Sequence, residues 1–255
     1  MPAKLELIPL EGFPWVEPGD DLAKLTLKSL LQNGLVLEEG DVLAFAQKIV
    51  SKAENRYVRL ADVTPGEEAM ALAAAADKDP RQAELILQES REVLRTRPGV
   101  VIVEHRNGYI HANAGIDKSN IQNSAEDPQV LLLPDDPDAS AKQLRRAISE
   151  ACGIDTKIII NDSAGRAWRN GTVGIAIGTA GFLPLFNQIG ERDLFDNVLE
   201  VTEAAVADEL AAAASLMMGQ AAEGYPVVLI RGARLRVAET GSSSLLRDKS
   251  MDMFR

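Results

Sequence analysis

The stretch IIINDSAGRAWRNGTVGIAIGTAG, residues 158–181, decides the fold. Ile158, Ile159 and Ile160 are apolar at successive positions, the pattern of a strand buried on both faces, and the chain then breaks into Asn161, Asp162, Ser163 and Gly165. Arg166, Trp168 and Arg169 follow, and then a second apolar run spaced by Gly171, Gly174, Gly178 and Gly181. Two readings fit. A strand can deliver polar groups to a loop at its carboxyl end, where open α/β folds place ligand chemistry. Equally, the polar residues can be the turn of a plain hairpin. The spaced glycines predict close approach of another backbone, within the chain or across a dimer.

Upstream of this stretch, residues 135–153 (DDPDASAKQLRRAISEACG) read as an acid-capped amphipathic helix with a glycine stop. Downstream, residues 193–220 carry the longest helical pattern, with Leu199, Val206, Leu210 and Met217 inward among alanines, and PVVLIRG (226–232) is a last buried strand. Earlier, Leu5 to Leu10 alternates as a strand, Asp20 and Asp21 open a helix stopped by Asn33 and Gly34, and a strand spans Asp41 to Ile49. Thr64, Pro65, Gly66 and Glu67 form a capping-box pattern, and Asp79 with Pro80 opens a helix whose apolar face includes Leu85, Ile86, Val93 and Leu94. Asn107 and Gly108 join VVIVEH to YIHAN as a hairpin. Gly12, Phe13, Pro14 and Trp15 make an aromatic loop that either caps a core, the simpler reading, or lines a pocket.

The chain has 255 residues, 46% hydrophobic and 25% charged, and reads as an ordinary soluble globular protein. Its 38 acidic and 27 basic residues give a net charge of -11, which argues against nucleic acid or an anionic membrane as a partner. No apolar run approaches the roughly 18 residues needed to cross a bilayer. The single Cys152 excludes an internal disulfide, so a cytoplasmic location is expected. No linker marks a boundary, which predicts one unit over 1–255, with a Ser-rich, charged and flexible tail over 238–255.

Standard phosphate loops are absent, and one cysteine with His105 and His111 cannot make the usual zinc site, so both histidines read as structural. What remains is a set of oxygen donors just past strands, Asp117, Asp162 and Ser163, with Lys118, Arg166 and Arg169 beside them. Hard cations such as Mg²⁺ or Mn²⁺ take such oxygens together with substrate phosphates, while Lys and Arg screen the remaining charge. Asp also commonly caps turns, so this pattern alone leaves a structural reading open.

The strings AQKIVSKAE, NAGIDKSN, NDSAGRAWRNGTVGIAIGTAG and EVTEAAVADELAAAASLMMGQ, with Arg231 and Gly232, resemble in order and spacing the motifs of the coenzyme F420 γ-glutamyl ligases over roughly residues 5 to 232. The resemblance implies an α/β (α+β) chain of unusual mixed-sheet, two-lobed fold working as an intertwined homodimer. It implies an amide ligase that uses GTP and Mg²⁺ or Mn²⁺, with K⁺ as a further candidate ion, to join L-glutamate to the terminal carboxylate of coenzyme F420-0 and then to extend it through γ-glutamyl links. Carried over by position, the metal ligands are Asp117, Asp162, Ser163 and Gln220. The nucleotide meets Gly12, Phe13, Pro14, Trp15, Gln47, Lys48, Lys52, Asn120 and the turn Met218, Gly219, Gln220, Ala221, Ala222, Glu223, Gly224 and Tyr225. Lys52, Arg166 and Arg169 are the expected catalytic charges. Ser163 stands where the family often has Thr, and Gln220 where Glu also occurs; the neutral Gln lowers the ligand charge. The rival readings are a non-catalytic nucleotide-binding homologue and a metal-dependent phosphohydrolase.

Overall fold

The computed structural model describes residues 4–254; residues 1–3 and 255, the ends of the expected 1–255 unit and of the 238–255 tail, lie outside the described residues. In chain order the elements are β1 (Glu6–Pro9), α1 (Leu22–Gln32), β2 (Val42–Ala46), α2 (Gln47–Ala53), β3 (Tyr57–Arg59), α3 (Glu67–Ala76) and α4 (Pro80–Gln88). There follow β4 (Ser90–Arg97), β5 (Val100–His105), β6 (Ile110–Ala112), β7 (Gln129–Leu131) and α5 (Pro137–Cys152). The chain ends with β8 (Lys157–Arg166), β9 (Arg169–Ala180), β10 (Phe186–Asn187), β11 (Glu203–Ala204), α6 (Val206–Met218) and β12 (Val227–Arg231).

The main sheet has the order β1-β12-β2-β8-β9 and is mixed: β2 and β8 run parallel, and the other pairs run antiparallel. Because side chains alternate across a strand, the continuous apolar runs split cleanly between two cores. Leu43, Phe45, Ile158, Ile160 and Leu229 pack with α1 and α5 on one face. Val42, Ala44, Ile159, Val228 and Ile230 pack with α6 on the other. Ile158, Ile159 and Ile160 are all 0% exposed, each burial stabilising by about 2 kcal/mol. The layering of helices on both faces of a mixed sheet makes this an α+β fold.

The glycines of β9 explain how the helices come so close. A Cβ on Gly174 would sit 2.4 Å from the carbonyl oxygen of Ala211 in α6, and one on Gly178 would sit 2.4 Å from that of Pro137 at the start of α5. The close packing expected from the sequence is therefore made within this chain, with Ala207, Ala211 and Ala214 supplying the small face of α6. A smaller sheet, β4-β5-β6, packs Val101 and Val103 against Ala76 and Ile86 of α3 and α4, and β3 pairs with β7.

Several boundaries differ from the sequence reading, each for a local reason. The strand expected to reach Ile49 turns helical at Gln47, because Ile49 and Val50 reach the core only at helical spacing. Val93 and Leu94 lie in β4, where Val93 pairs with Val103, instead of extending α4. The helix expected from Asp193 begins only at Val206, since Asp193 accepts the N–H groups of Phe195 and Asn197 at 2.8 Å and closes a turn. The capping box at Thr64 does not form: α3 starts after Gly66, whose N–H donates to Glu84. At the 107–108 turn only Gly108 takes positive φ, +96°. In the 238–254 segment Ser242 is buried and bonded to Asp138 and to the carbonyl of Ile177, and Lys249 pairs with Glu92 and Glu104.

Candidate active site

The site forms where β2 and β8 end side by side. Their parallel register sets Ala46 against Asn161, so the first residues of α2 and the polar half of β8 emerge together. The opening stretch is not a strand followed by a loop. β8 continues through Asn161, Asp162 and Ser163 to Arg166, paired along its length with β9, so the hairpin reading describes the backbone. The polar groups are nevertheless not turn residues. A register shift between Ile160 and Asn161 interrupts the ladder, as β-bulges do where a side chain must be re-aimed.

A cavity of about 310 Å³ opens there. It is lined by Phe13, Pro14 and Trp15 after β1, by Gln47, Lys48 and Lys52 of α2, by Asn120, Asp162 and Ser163, and by Met218, Gly219, Gln220, Ala221, Ala222, Gly224 and Tyr225 between α6 and β12. The aromatic loop divides its work: Val16 and Phe13 join the core, while Trp15, 86% exposed, stands over the cavity with Lys52 Nζ 6.0 Å from its ring centre. Gly12 precedes this wall without lining it, and Glu223 folds back so that its carboxylate accepts the N–H of Ala221 at 2.8 Å. That fold needs Gly219, since a Cβ there would meet the Glu223 carboxyl carbon at 2.1 Å. Asn120 closes the far side by donating to the carbonyl of Ala221 at 3.0 Å.

Asp162 lies in β8, while Asp117 follows β6 outside any strand. Asp117 is held by a backbone bridge to Leu131, and its carboxylate meets Lys48 Nζ at 2.8 Å and accepts from Gln47 Nε2 at 2.6 Å. Burial pushes the Asp117 carboxyl up; Lys48 opposes this and the charge of Asp162 adds to it. Asp162 accepts the Ser163 N–H at 2.8 Å, and its other oxygen lies 2.9 Å from His111 Nε2. For His111, burial works against the charged ring, but the hydrogen bond and charge of Asp162 outweigh it and hold the pKa above the ordinary histidine value. Ser163 Oγ donates to Gln220 Oε1 at 2.9 Å. Lys52 is pulled below the usual lysine range by burial; Glu17 opposes and Lys48 reinforces this.

His111 is the residue that sequence reasoning missed. The sequence reads it as structural, yet its ring meets a candidate metal ligand, a partner 51 positions away that no local pattern names. Asn161 is a second: buried at the cavity, its Oδ1 has no hydrogen-bond partner among the described residues. Arg166 and Arg169 are not brought to the cavity. They sit exposed at the end of the β8–β9 hairpin, four strand residues or about 13 Å beyond Asp162. Arg231 and Gly232 also lie elsewhere, Arg231 forming a two-pronged pair with Asp41 at 3.0 and 2.7 Å.

Among the described residues no cluster of three or more His, Cys, Asp or Glu side chains is placed to hold a metal ion. Asp117 and Asp162 with the oxygens of Ser163 and Gln220 still fit a cation such as Mg²⁺, which takes one or two carboxylates and completes its shell from water and phosphate.

Comparison with known proteins identifies the family. The model of the F420-0:Gamma-glutamyl ligase family matches residues 12–232. The coenzyme F420:L-glutamate ligase of Methanothermobacter thermautotrophicus is 45% identical over 254 residues, covering 98% of this chain and 99% of that protein. The coenzyme F420:L-glutamate ligases of Methanopyrus kandleri and Archaeoglobus fulgidus are 43% and 41% identical, each over 99% of this chain and 97% of theirs. The chain therefore belongs to the F420-0:gamma-glutamyl ligase family.

Proposed function

We propose that this chain is a GTP-dependent coenzyme F420-0:L-glutamate ligase that forms an acyl phosphate and then an amide, and extends the product through γ-glutamyl links. The observation that carries the reading is the convergence of Lys48, Lys52 and Asp162 on one cavity, with Asp117 joined to it through its ion pair with Lys48. Asp117, Asp162, Ser163 and Gln220 would hold Mg²⁺ or Mn²⁺, which when bound neutralises phosphate charge and polarises phosphoryl oxygens. Lys52, desolvated but unhindered over Trp15, would pair with the γ-phosphate. The coenzyme's carboxylate oxygen attacks the γ-phosphorus, the bond to the bridging oxygen breaks and GDP leaves. The glutamate amine then attacks the acyl carbon, the C–O bond breaks, and phosphate departs as the amine loses a proton.

A homodimer is part of the proposal. Trp168, Leu194, Phe195, Val201 and Leu216 are all more than 80% exposed, at 89%, 99%, 84%, 86% and 82%, and such apolar groups call for a covering partner. With Arg166 and Arg169 at an exposed hairpin end beside Trp168, their role toward phosphate requires the second copy. K⁺ is a further ion of the proposal, checked by comparing turnover with and without it.

The test is to incubate the purified protein with GTP, Mn²⁺ or Mg²⁺, L-glutamate and the unglutamylated coenzyme and to weigh the product. A coenzyme heavier by glutamate residues is expected. GTP turnover that ignores glutamate and yields no heavier product establishes the phosphohydrolase instead, and nucleotide binding without turnover establishes the non-catalytic homologue. Light scattering of the same sample checks the dimer.

A further inference from the structure

A second cavity, of about 300 Å³, takes in Lys118, which the sequence reading set beside the phosphate site, but its other lining residues have no role above. Lys78 from the α3–α4 link, Gln82 of α4, Asn113 after β6, and Lys118 and Ser119 line it, with Ile86 and Ile116 as its apolar floor. Its size is at the small end of ligand-binding cavities, suited to one small molecule.

Its polar groups are unspent. Among the described residues the lysines in ion pairs are Lys4, Lys48 and Lys249, so neither Lys78 nor Lys118 is paired with a carboxylate. The nearby acid, Asp79, is taken by Arg81 at 3.0 and 2.6 Å. Burial first, and then the charge of Lys118, depress the pKa of Lys78, while Lys118 also acts on the Asp79 carboxylate that Arg81 already holds. Gln82, only 9% exposed, makes no side-chain hydrogen bond among the described residues. The oxygen of Asn113 is engaged by the N–H of Val101 at 3.1 Å, which leaves its amide N–H₂ as the donor. Asn113, Ala114 and Gly115 all take positive φ, 52°, 54° and 68°, a strained run of the kind retained where a backbone must present specific groups.

In a chain of net charge -11, an unneutralised basic cavity is a site for an anion. Two separate point charges over an apolar floor match a short chain bearing a carboxylate at each end better than one compact phosphate, which an Arg fork or a ring of backbone N–H groups would hold. Position agrees: residues 117–120 connect the two sites, with Asp117 at the candidate metal position, Lys118 and Ser119 in the small cavity and Asn120 in the large one.

We propose that this second cavity is the subsite for the incoming amino acid, with Lys78 and Lys118 pairing with the two carboxylates of L-glutamate and Gln82 and Asn113 as hydrogen-bond partners. The assignment rests on the ligase reading and deepens it. The test uses the full chain with Lys78→Met, Lys118→Met and the double variant. The KM for L-glutamate is expected to rise at least tenfold in the double variant, while the KM for GTP and the thermal midpoint stay near wild type. Lys78→Arg, which keeps the charge, should retain most of the affinity. An unchanged KM for glutamate overturns the subsite, and so does a rise confined to the KM for the coenzyme, which would assign the lysines to that substrate's anionic groups. Should the wild type make no heavier product, the ligase reading has failed. Calorimetric titration of L-glutamate into the GDP- and Mn²⁺-loaded protein then judges the subsite by itself: binding lost in the double variant supports it, and no binding to wild type overturns it.

Discussion

His111 Nε2 and Asp162 Oδ2 lie 2.9 Å apart although the residues are 51 positions apart in the chain, so β6 of the small sheet orients a carboxylate of the large one. A ring that fixes a metal-binding carboxylate typically changes affinity or rate 10–100-fold when removed, which is about the loss expected here. His111→Phe should raise the divalent-cation concentration for half-maximal rate by about tenfold or more, and His111→Gln, which keeps an N–H donor, by less. Asp162→Asn should abolish most turnover. Equal losses for the Phe and Gln variants would refute orientation by hydrogen bonding.

On the proposed function Lys52 should set an alkaline limit. Its charged form would be the one to meet phosphate, and burial first, with Lys48 in support, places its pKa below the ordinary lysine value. Nucleotide capture is therefore complete at lower pH and declines as pH rises through a pKa below that of a free lysine. The decline should appear in kcat/KM for GTP, which reports the free enzyme, more than in kcat. Lys52→Arg stays charged and should move the alkaline limb upward; an unmoved limb assigns it to another group.

Gly174 and Gly178 should tolerate no side chain. Cβ atoms at 2.4 Å from the carbonyl oxygens of Ala211 and Pro137 force α6 and α5 off the sheet. Each Gly→Ala change is expected to cost about 1–3 kcal/mol, read as a lower denaturant midpoint. Gly165→Ala, with nothing within 4 Å and no positive φ, is the control and should stay near wild type. A stable Gly174→Ala protein would contradict this packing.

Arg231 belongs to a family motif but acts on the fold. Asp41 is 1% exposed, and removing its partner leaves a buried carboxylate unpaired. Arg231→Met should destabilise the protein by about 3–5 kcal/mol. At a temperature where the variant remains folded, its kcat should be close to wild type; a selective loss of kcat would return Arg231 to the chemistry.

Much of the scaffold was legible because it is written in local patterns. The apolar runs at 42–46, 157–160 and 227–230 needed only strand periodicity, and Asp21, Asp79, Asp136, Gly34 and Gly153 mark helix ends by capping chemistry that depends on near neighbours. The errors fell where a long-range partner outweighed local propensity: Val93 takes a strand because Val103 is beside it, and the helix starts late because Asp193 closes a turn. For the site, the motif order named the cavity-lining residues of α2, residue 120 and the 218–225 turn, since a family keeps residue types at positions.

The sequence by itself determined the two-faced strands, the close-packing glycines and the family to which these motifs belong. Only the tertiary structure decided that β2 and β8 are parallel neighbours, that Asp162 lies within a strand and meets His111, that Arg166 and Arg169 stand away from the cavity, and that Lys78 and Lys118 share a second one. The physical reason is one of range. Propensity, capping and periodicity act over a few residues along the chain, whereas a site is made by the distances between side chains that folding brings together from far apart in sequence.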